Sequence, residues 1–334
     1  MQRILTFLII MVSLCACESI FFERDYASSD PFVNFDYLWL ELDRKYSYFE
    51  LKDIDWDEVR TRYRAQLSEE MSEEALFDVM AAMLNELRDD HSNLIAPFNI
   101  SRYNLPLRER KNFFPRTVEE FYVPNAHITR PFFHDFIAGG SVGYIRYGSF
   151  MSNIDKKSLD HVLTRYQDTK GLILDLRENG GGAITNIPPM LERFTPIRLH
   201  AANAITRNGP MRGDFGPPEP FFIGIHEGVR YHKPVIVLID RGSYSAATFF
   251  ALLTKSIPQV ILMGDTTGGG GGLPNGGQLP NGWTYRFSVS QLLDLQGNNY
   301  AEQGVPPDIF AEFDWTDLSR DEVIERALVE LIGE

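Results

Sequence analysis

Three short apolar runs in the second half of the chain most strongly constrain its fold. Residues 171–176, 234–239 and 260–263 are each the length of a buried strand, and a turn rich in glycine or serine follows each run. Helical patterns alternate with these runs. Buried strands that alternate with helices are typical of a parallel sheet covered by helices, so the sequence predicts an α/β layer architecture.

The end of the predicted sheet has a different pattern. Asn281-Gly282 is a hairpin turn signal, and residues 283–289 alternate apolar with polar side chains, which predicts a strand with one wet face. Upstream of the sheet, three helical patterns follow one another, and Asp55 and Ser72 stand at the cap positions of the second and third. The chain therefore combines an N-terminal helical domain with an α/β domain.

These patterns divide the chain into five segments. A predicted signal peptide at residues 1–17 is followed by a polar tether at 18–32. The helical domain covers residues 33–92, an irregular, aromatic-rich connector covers 93–140, and the α/β domain covers 141–334. We expect loops and short strands in the connector, whose aromatic side chains either pack on an apolar face or line a substrate groove.

The first residues resemble a bacterial export signal of the lipoprotein type. Arg3 forms a short positive region, and residues 4–14 form an apolar stretch that is too short for a permanent transmembrane helix. Residues 14–17, LCAC, resemble a lipobox, which implies cleavage before Cys17 and acylation of its sulfur. The alternative is an ordinary signal peptide with incidental cysteines. The first interpretation predicts a lipid-anchored protein of the bacterial cell envelope, facing either the periplasm or the outside.

Charge and composition argue against several classes of function. The chain has a formal net charge of −14 and no long basic run, so nucleic-acid binding is not expected. No cysteine follows Cys17, and no two histidines stand at metal-ligand spacing, so neither a disulfide nor a zinc site is expected. The glycine run at residues 264–272 lacks the Lys-Ser/Thr ending of a phosphate-binding loop. We therefore expect no cofactor.

Two serines, Ser243 and Ser245, lie on the turn after the predicted strand at residues 234–239. Ligands of open α/β sheets bind at the carboxyl ends of strands, and Ser245 would also begin the next helix, where developing negative charge is stabilised. The backbone N–H of Ala246 and one from the glycine turn that contains Gly181 would then form an oxyanion hole. Helix capping and tight-turn geometry stay open as alternative roles.

One histidine stands in a polar cluster at the junction of the two domains. His91 follows Asp89-Asp90 at a predicted helix end and precedes Ser92. A serine nucleophile needs a base, and histidine is the side chain that most often serves as one. His91 is therefore either that base or a solvated residue at the end of the helix.

Four separated motifs resemble the tail-specific (C-terminal processing) serine protease family, and more closely its tricorn-core-like branch. They are LRDDHSNL at 87–94, GYIRYGSF with GLILDLRENGGG at 143–182, DRGSYSAATFF at 240–250, and GDTTGGGGG with AEQGVPPDI at 264–309. The resemblance covers about residues 35–312. It implies a Clp-protease/crotonase-like α/β catalytic core that follows the N-terminal helical domain.

The resemblance also implies a Ser-His-Glu site. The family's nucleophile corresponds to Ser245 and its base to His91. The glutamate that orients the imidazole and stabilises its charge corresponds to Glu302. The processing-protease branch uses a lysine instead, and Gly270 stands at that position here. The histidine mechanism of the tricorn-like branch is therefore the one that this resemblance predicts.

The chain departs from the family pattern at several positions. A supporting serine directly before the histidine is replaced by Asp90, while Ser92 follows the histidine, so the supporting member of the site stays open between them. A glutamate that many relatives carry three residues after the nucleophile is replaced by Thr248. A typical peptide-binding PDZ domain does not fit in residues 93–140. Capture of substrates by such a domain is therefore not expected.

Together these residues predict a lipid-anchored serine endopeptidase that acts on proteins or peptides of the cell envelope. Two alternatives stay open. One is a catalytically inactive lipoprotein that binds peptides or a partner, and the other is an esterase or amidase that uses the same triad on a small molecule. A closed pocket would favour the second, and an open groove beside a free sheet edge would favour peptides. The sequence predicts no oligomeric state.

Overall fold

The apolar runs of the sequence form the centre of a seven-stranded sheet. The computed structural model describes residues 27–103 and 111–333, so the predicted signal peptide, Cys17 and most of the tether lie outside the described residues. In spatial order the strands are β14 (Ile309–Phe310), β10 (Val260–Gly264), β9 (Val235–Ile239), β6 (Gly171–Asp175), β5 (Val142–Arg146), β4 (Phe132–Ile137) and β3 (His127–Thr129). The strands from β14 to β5 pair in parallel, and β4 and β3 extend the sheet antiparallel. The α/β layer architecture is thus confirmed.

The N-terminal part of the chain forms three helices, and further helices connect the strands of the central sheet. They are α1 (Pro31–Lys45), α2 (Trp56–Arg64), α3 (Glu73–Asn85), α4 (Lys156–Arg165), α5 (Ile187–Leu191), α6 (Ala246–Thr254), α7 (Tyr300–Gln303) and α8 (Glu322–Ile332), with shorter helical turns at Pro115–Thr117, Val118–Tyr122, Ala138–Gly140 and Ile184–Asn186. Asp55 and Ser72 cap α2 and α3 as predicted, by accepting backbone N–H groups in the first turn. Within the described ranges, none of these helices has the length and apolar character needed to cross a membrane.

Two smaller antiparallel sheets flank the central one. The first contains β11 (Pro274–Gln278), β12 (Thr284–Ser288), β1 (Asn93–Ala96) and β2 (Asn99–Ile100), and the second contains β13 (Ser290–Leu293), β7 (Leu199–Thr206) and β8 (Glu219–Ile223). The predicted hairpin is the β11–β12 pair, and its Trp283, Tyr285 and Phe287 side chains are buried in one core with α1 to α3. The hairpin therefore joins the helical domain to the α/β domain by burial of apolar surface.

Most of the described part of the predicted connector is regular structure. β1 and β2 belong to the first small sheet, and β3 and β4 belong to the central sheet. β4 runs antiparallel to β5, and Phe132 and Ile137 of this strand are buried. Pairing with β5 thus decides the structure of residues that look irregular in the sequence, and the central sheet begins before residue 141.

Candidate active site

A cleft of about 830 Å³ lies where the turns that follow β6 and β9 meet β1 and β12. Gly181 comes from the turn after β6, and Ser245 comes from the turn after β9. His91 and Arg286 lie on the side of β1 and β12. The carboxyl ends of parallel strands are the usual ligand-binding edge of an open α/β sheet, so this is the edge at which the sequence predicts a site.

The two serines of the turn after β9 have different surroundings. The Ser243 side chain is buried, and its hydroxyl donates to the Leu176 carbonyl at 2.8 Å and accepts the Asp240 N–H at 3.1 Å. Ser245 lines the cleft with φ 55° and ψ −117°, a conformation that is unusual for a residue with a side chain. The Gly269 carbonyl accepts the Ser245 N–H at 2.9 Å and helps to hold it there. Ser243 therefore stabilises the turn, while Ser245 faces the cleft.

His91 meets Ser245 from the loop between α3 and β1. The distance between Ser245 Oγ and His91 Nε2 is 3.0 Å, although the two residues are 154 positions apart in the chain. His91 is only 6% exposed, and the Tyr244 ring packs edge-on against the imidazole with 5.2 Å between centroids. An imidazole whose Nε2 is unprotonated can accept the serine proton at this distance.

Asp89 is the carboxylate that is hydrogen-bonded to the backbone of His91. One of its oxygens accepts the His91 N–H at 2.8 Å, and the other accepts the hydroxyls of Ser92 at 3.2 Å and Ser288 at 3.1 Å. Burial would raise the pKa of Asp89, but the positive charges of Lys52 and His91 outweigh it and hold the pKa below its usual value. Asp89 is therefore ionised at neutral pH, and it ties the His91 loop to β12.

The surroundings of the imidazole favour its neutral form. Burial lowers the pKa of His91 below its ordinary value, the charge of Asp89 opposes this, and the charge of Arg286 lowers the pKa further. The Nδ1 atom is buried and makes no hydrogen bond of normal geometry to any residue in the described ranges, although the Gly272 backbone is close enough to favour the protonated ring. The imidazole is therefore a neutral base at pH 7, without a firm partner on its Nδ1 side.

Glu302, on α7, is bonded to groups other than the imidazole. One of its carboxylate oxygens forms an ion pair with Lys52, and the other accepts the Gly271 N–H at 3.0 Å. Burial, and then the charge of Asp89, raises the pKa of Glu302 to about 7. The carboxylate of Glu302 does not accept the expected hydrogen bond from the His91 ring, because it is paired with the nearby ammonium group of Lys52.

Lys52 ties the helical domain to both sides of this site. It lies between α1 and α2, and besides its ion pair with Glu302 it donates to the carbonyls of Leu87 and Arg88 at 3.0 and 3.1 Å. The Lys52 side chain is 12% exposed. One lysine thus fixes the segment before His91 and the position of Glu302 together.

The two predicted oxyanion donors differ in availability. The Ala246 N–H begins α6 directly after Ser245, where a helical amide has no intrahelical acceptor. Gly181 packs so closely here that a Cβ on it would lie 2.8 Å from Ser245 Cβ, and its φ is +88°. Its N–H, however, donates to Asn179 Oδ1 at 3.0 Å. The prediction that the Gly181 N–H faces an oxyanion is therefore wrong for this conformation, because the Asn179 side chain accepts that proton.

The two residues beside His91 differ in position. Asp90 lines the cleft, while Ser92 is buried and its hydroxyl donates to Asp89 rather than to the imidazole. Ser92 can therefore support His91 only through Asp89. The supporting role of Asp90 or Ser92 stays a prediction, and it is Asp89 that accepts the backbone N–H of His91.

The remaining departures from the family pattern have structural explanations. Thr248 is buried, and its hydroxyl donates to the Ser243 carbonyl at 3.1 Å, so it stabilises the serine turn. A Cβ on Gly270 would lie 2.5 Å from the Tyr244 ring. A lysine at this position would therefore displace Tyr244, whose ring packs against His91.

Sequence reasoning did not assign a role to Asp89, Lys52 or Arg286. Asp89 was within reach of such reasoning, since it lies in the LRDDHSNL stretch two residues before His91. Lys52 and Arg286 carry no local signal, because each reaches the site only through pairing of distant segments.

Comparison with known protein families identifies relatives of both parts of the chain. The family model described as Peptidase family S41 matches residues 141–311, which is half of the chain. The Tricorn protease C1 domain model matches residues 30–85, which include most of the helical domain. Among curated proteins, the carboxy-terminal processing protease CtpA of Bacillus subtilis is 26% identical over 173 residues, which cover 52% of this chain and 35% of CtpA. The chain thus spans about a third of the length of this relative.

Solved structures extend the match over most of the chain. A candidate peptidase from Parabacteroides merdae is 36% identical with a TM-score of 0.87, over 91% of this chain and 98% of that chain. Mature CPAF has a TM-score of 0.70 at 13% identity, over 89% of this chain and 95% of that chain, which shows a shared fold alone. The fold is therefore the crotonase-like α/β core with N-terminal helices that the sequence predicts.

Proposed function

Because this chain belongs to peptidase family S41, a family of serine peptidases, we propose that it is an endopeptidase with Ser245 as nucleophile and His91 as base. The observation that carries the proposal is the 3.0 Å distance from Ser245 Oγ to His91 Nε2 within an open cleft. An open cleft suits a chain that continues on both sides of the scissile bond better than it suits a small ester.

The proposed reaction uses the neutral imidazole twice. Ser245 Oγ attacks the peptide carbonyl carbon while its proton moves to His91 Nε2, and the Ala246 N–H stabilises the developing oxyanion. The imidazolium then gives the proton to the leaving amine, and an acyl-enzyme remains. Water attacks this ester after losing a proton to Nε2, and the proton returns to Ser245 as the acid leaves. Asp89 stabilises the imidazolium in both halves by its charge.

The test is labelling with a fluorophosphonate probe, in which a serine oxygen displaces fluoride from phosphorus. Purified protein lacking residues 1–17 is compared with Ser245→Ala, His91→Ala and Ser243→Ala. We expect the parent and Ser243→Ala to be labelled, and the other two variants to remain unlabelled. Thermal unfolding of each variant separates loss of reactivity from loss of fold. A folded parent that takes up no probe would contradict the proposal.

A catalytically inactive peptide-binding protein is the second candidate. Two observations favour it: among the described residues His91 Nδ1 has no hydrogen bond of normal geometry, and the Gly181 N–H donates to Asn179. An inactive protein would remain unlabelled by the probe but would bind peptides in the cleft. The labelling experiment, combined with a peptide-binding measurement, therefore separates the two functions.

We also propose that the mature protein is anchored to a membrane of the bacterial envelope by a lipid on Cys17, and that it acts there on proteins or peptides. The LCAC sequence at residues 14–17 supports this proposal. In cells fed an alkyne-tagged fatty acid, the parent should carry the tag and sediment with membranes, and Cys17→Ala should do neither. An untagged parent in the soluble fraction would contradict the anchor and leave the peptidase proposal intact.

A further inference from the structure

The walls of the cleft combine exposed apolar side chains with positive charge. Met151 is 75% exposed, Ile100 47% and Leu273 38%, and all three line the cleft. Exposed apolar side chains that share a concave surface are typical of a binding site for an apolar group. Two arginines, Arg102 and Arg286, belong to the same lining.

This positive charge is unusual for the molecule. The whole chain has a formal net charge of −14, yet Asp90 is the one acidic residue of the lining against two arginines, within the described ranges. A guanidinium that lines a cleft of an otherwise acidic protein is a local positive charge that attracts an anionic group, even with the ionised Asp89 bonded to the His91 backbone nearby. The cleft therefore suits a ligand that has both an apolar part and an anionic part.

Arg286 is the arginine whose position is fixed. It lies on β12 opposite Asn93 of β1, and its Nε donates to Asn93 Oδ1 at 2.6 Å. Asn93 is itself buried, and its amide donates to the Ser101 carbonyl at 2.9 Å. Nε uses one of the five N–H donors of this guanidinium, and no acidic side chain in the described ranges forms an ion pair with it. A guanidinium oriented in advance loses little entropy when it binds a planar carboxylate.

Arg286 also lies within electrostatic range of the proposed base. Its charge acts on the imidazole of His91, whose sequence position is two residues before Asn93. A group bound to the guanidinium would consequently lie near the proposed Ser245–His91 pair rather than at a remote part of the groove.

We propose that Arg286 is a specificity-determining residue that binds a carboxylate of the peptide close to the scissile bond, beside a subsite for an apolar side chain. This inference rests on the proposed function, because it names the substrate class of that same cleft. The carboxylate has two possible sources, an acidic side chain or the free C-terminus of a peptide. Both present the planar pair of oxygens that arginine binds with two hydrogen bonds.

The experiment measures binding rather than turnover, so it does not depend on catalysis. Fluorescent heptapeptides of alanine and leucine carry one glutamate or one glutamine at each position in turn, and each is made as the free acid and as the C-terminal amide. Dissociation constants are measured by anisotropy with Ser245→Ala, alone and combined with Arg286→Gln or Arg286→Glu. Arg116→Gln on the same background is the matched control, because Arg116 is exposed and does not belong to the cleft lining.

We expect at least one glutamate peptide, or the free-acid series, to bind about tenfold more tightly than its neutral counterpart. Arg286→Gln should abolish that preference, Arg286→Glu should reverse it, and the control should keep it. A preference for glutamate at an internal position identifies a side-chain carboxylate, and a preference for acid over amide identifies a C-terminus. Equal binding of charged and neutral peptides, or no binding at all, would overturn the inference. Failure of the proposed function appears separately, as absence of fluorophosphonate labelling in the parent.

Discussion

The two nitrogen atoms of His91 have opposite surroundings. Nε2 lies 3.0 Å from the Ser245 hydroxyl, whereas Nδ1 is buried without a hydrogen bond of normal geometry to any described residue. The carboxylate that the family resemblance assigns to the imidazole, Glu302, is held by Lys52 and Gly271 instead. The side that would accept the serine proton is thus assembled, and the side that would orient the ring is not.

The difference follows from how each side is built. The Ser245 side depends on one turn, whose shape is fixed by backbone hydrogen bonds such as Ser245 N–H to the Gly269 carbonyl. The other side depends on two buried carboxylates, Asp89 and Glu302, and on the partly buried Lys52. Burial, together with the charge of Asp89, raises the pKa of Glu302 to about 7, and the positive charge of Lys52 offsets this only in part. A backbone turn has one arrangement, whereas such a cluster can change with protonation.

The largest effect is expected when the imidazole that contacts Ser245 through Nε2 is removed. His91→Ala should reduce kcat/KM for a cleaved peptide by at least about 10⁴-fold, because Ser245 then lacks a base. Since the two residues act as a unit, Ser245→Ala combined with His91→Ala should be no slower than Ser245→Ala alone. Steady-state hydrolysis of a fluorogenic peptide measures all three variants. Additive losses would mean that His91 and Ser245 act independently, and the geometry would then have another purpose.

Removing the charge of either carboxylate, Asp89 or Glu302, should lower kcat by a different amount. Asp89→Asn should lower kcat about 10- to 100-fold, because it removes the charge that stabilises the imidazolium and that is tied to the His91 backbone. Glu302→Gln should lower kcat less than Asp89→Asn, since Glu302 does not contact the imidazole in this arrangement. Both variants are nearly isosteric, so each controls for the other. A larger loss in Glu302→Gln would show that Glu302 reaches Nδ1 when substrate binds.

The two sides of His91 also differ in how far the sequence predicts their structure. The strand, turn and helix around Ser245 are continuous in the chain, and Ser245 is therefore found from local pattern. The Lys52–Glu302 pair brings together opposite ends of the chain, and no periodicity or motif connects them. Family resemblance located Glu302 but could not determine its partner. Pairing of β4 with β5 was hidden for the same reason, because it depends on the neighbouring strand rather than on the composition of the segment.

Lys52→Met tests whether the ion pair stabilises the fold. Removal of the cation leaves Glu302 buried without its partner, and at pH 8 the free energy of unfolding should fall by about 3 kcal/mol. A carboxyl whose folded pKa is raised binds its proton more tightly in the folded state. Stability from this group is consequently present at low pH and lost as pH rises from about 4.3 toward about 7. The deficit of Lys52→Met should therefore shrink at pH 5.5, where Glu302 is protonated.

Urea unfolding at the two pH values measures this difference. Lys52→Met combined with Glu302→Gln should regain part of the stability at pH 8, because no unpaired charge is then buried. An equal deficit at both pH values, with no recovery in the double variant, would assign the loss to the hydrogen bonds from Lys52 to Leu87 and Arg88 instead.

The smallest expected effect concerns the charge that faces His91 from β12. Burial is the main cause of the lowered pKa of His91, and the positive charge of Arg286 contributes in the same direction. Arg286→Gln should therefore raise the pKa of His91, so that more imidazole is protonated at a given low pH. The acid limb of kcat/KM against pH, measured with one neutral peptide for both proteins, should move to higher pH in the variant. An acid limb that moves to lower pH, or does not move, would mean that the guanidinium does not act on the imidazole, and the Asp89 side alone would then control its charge.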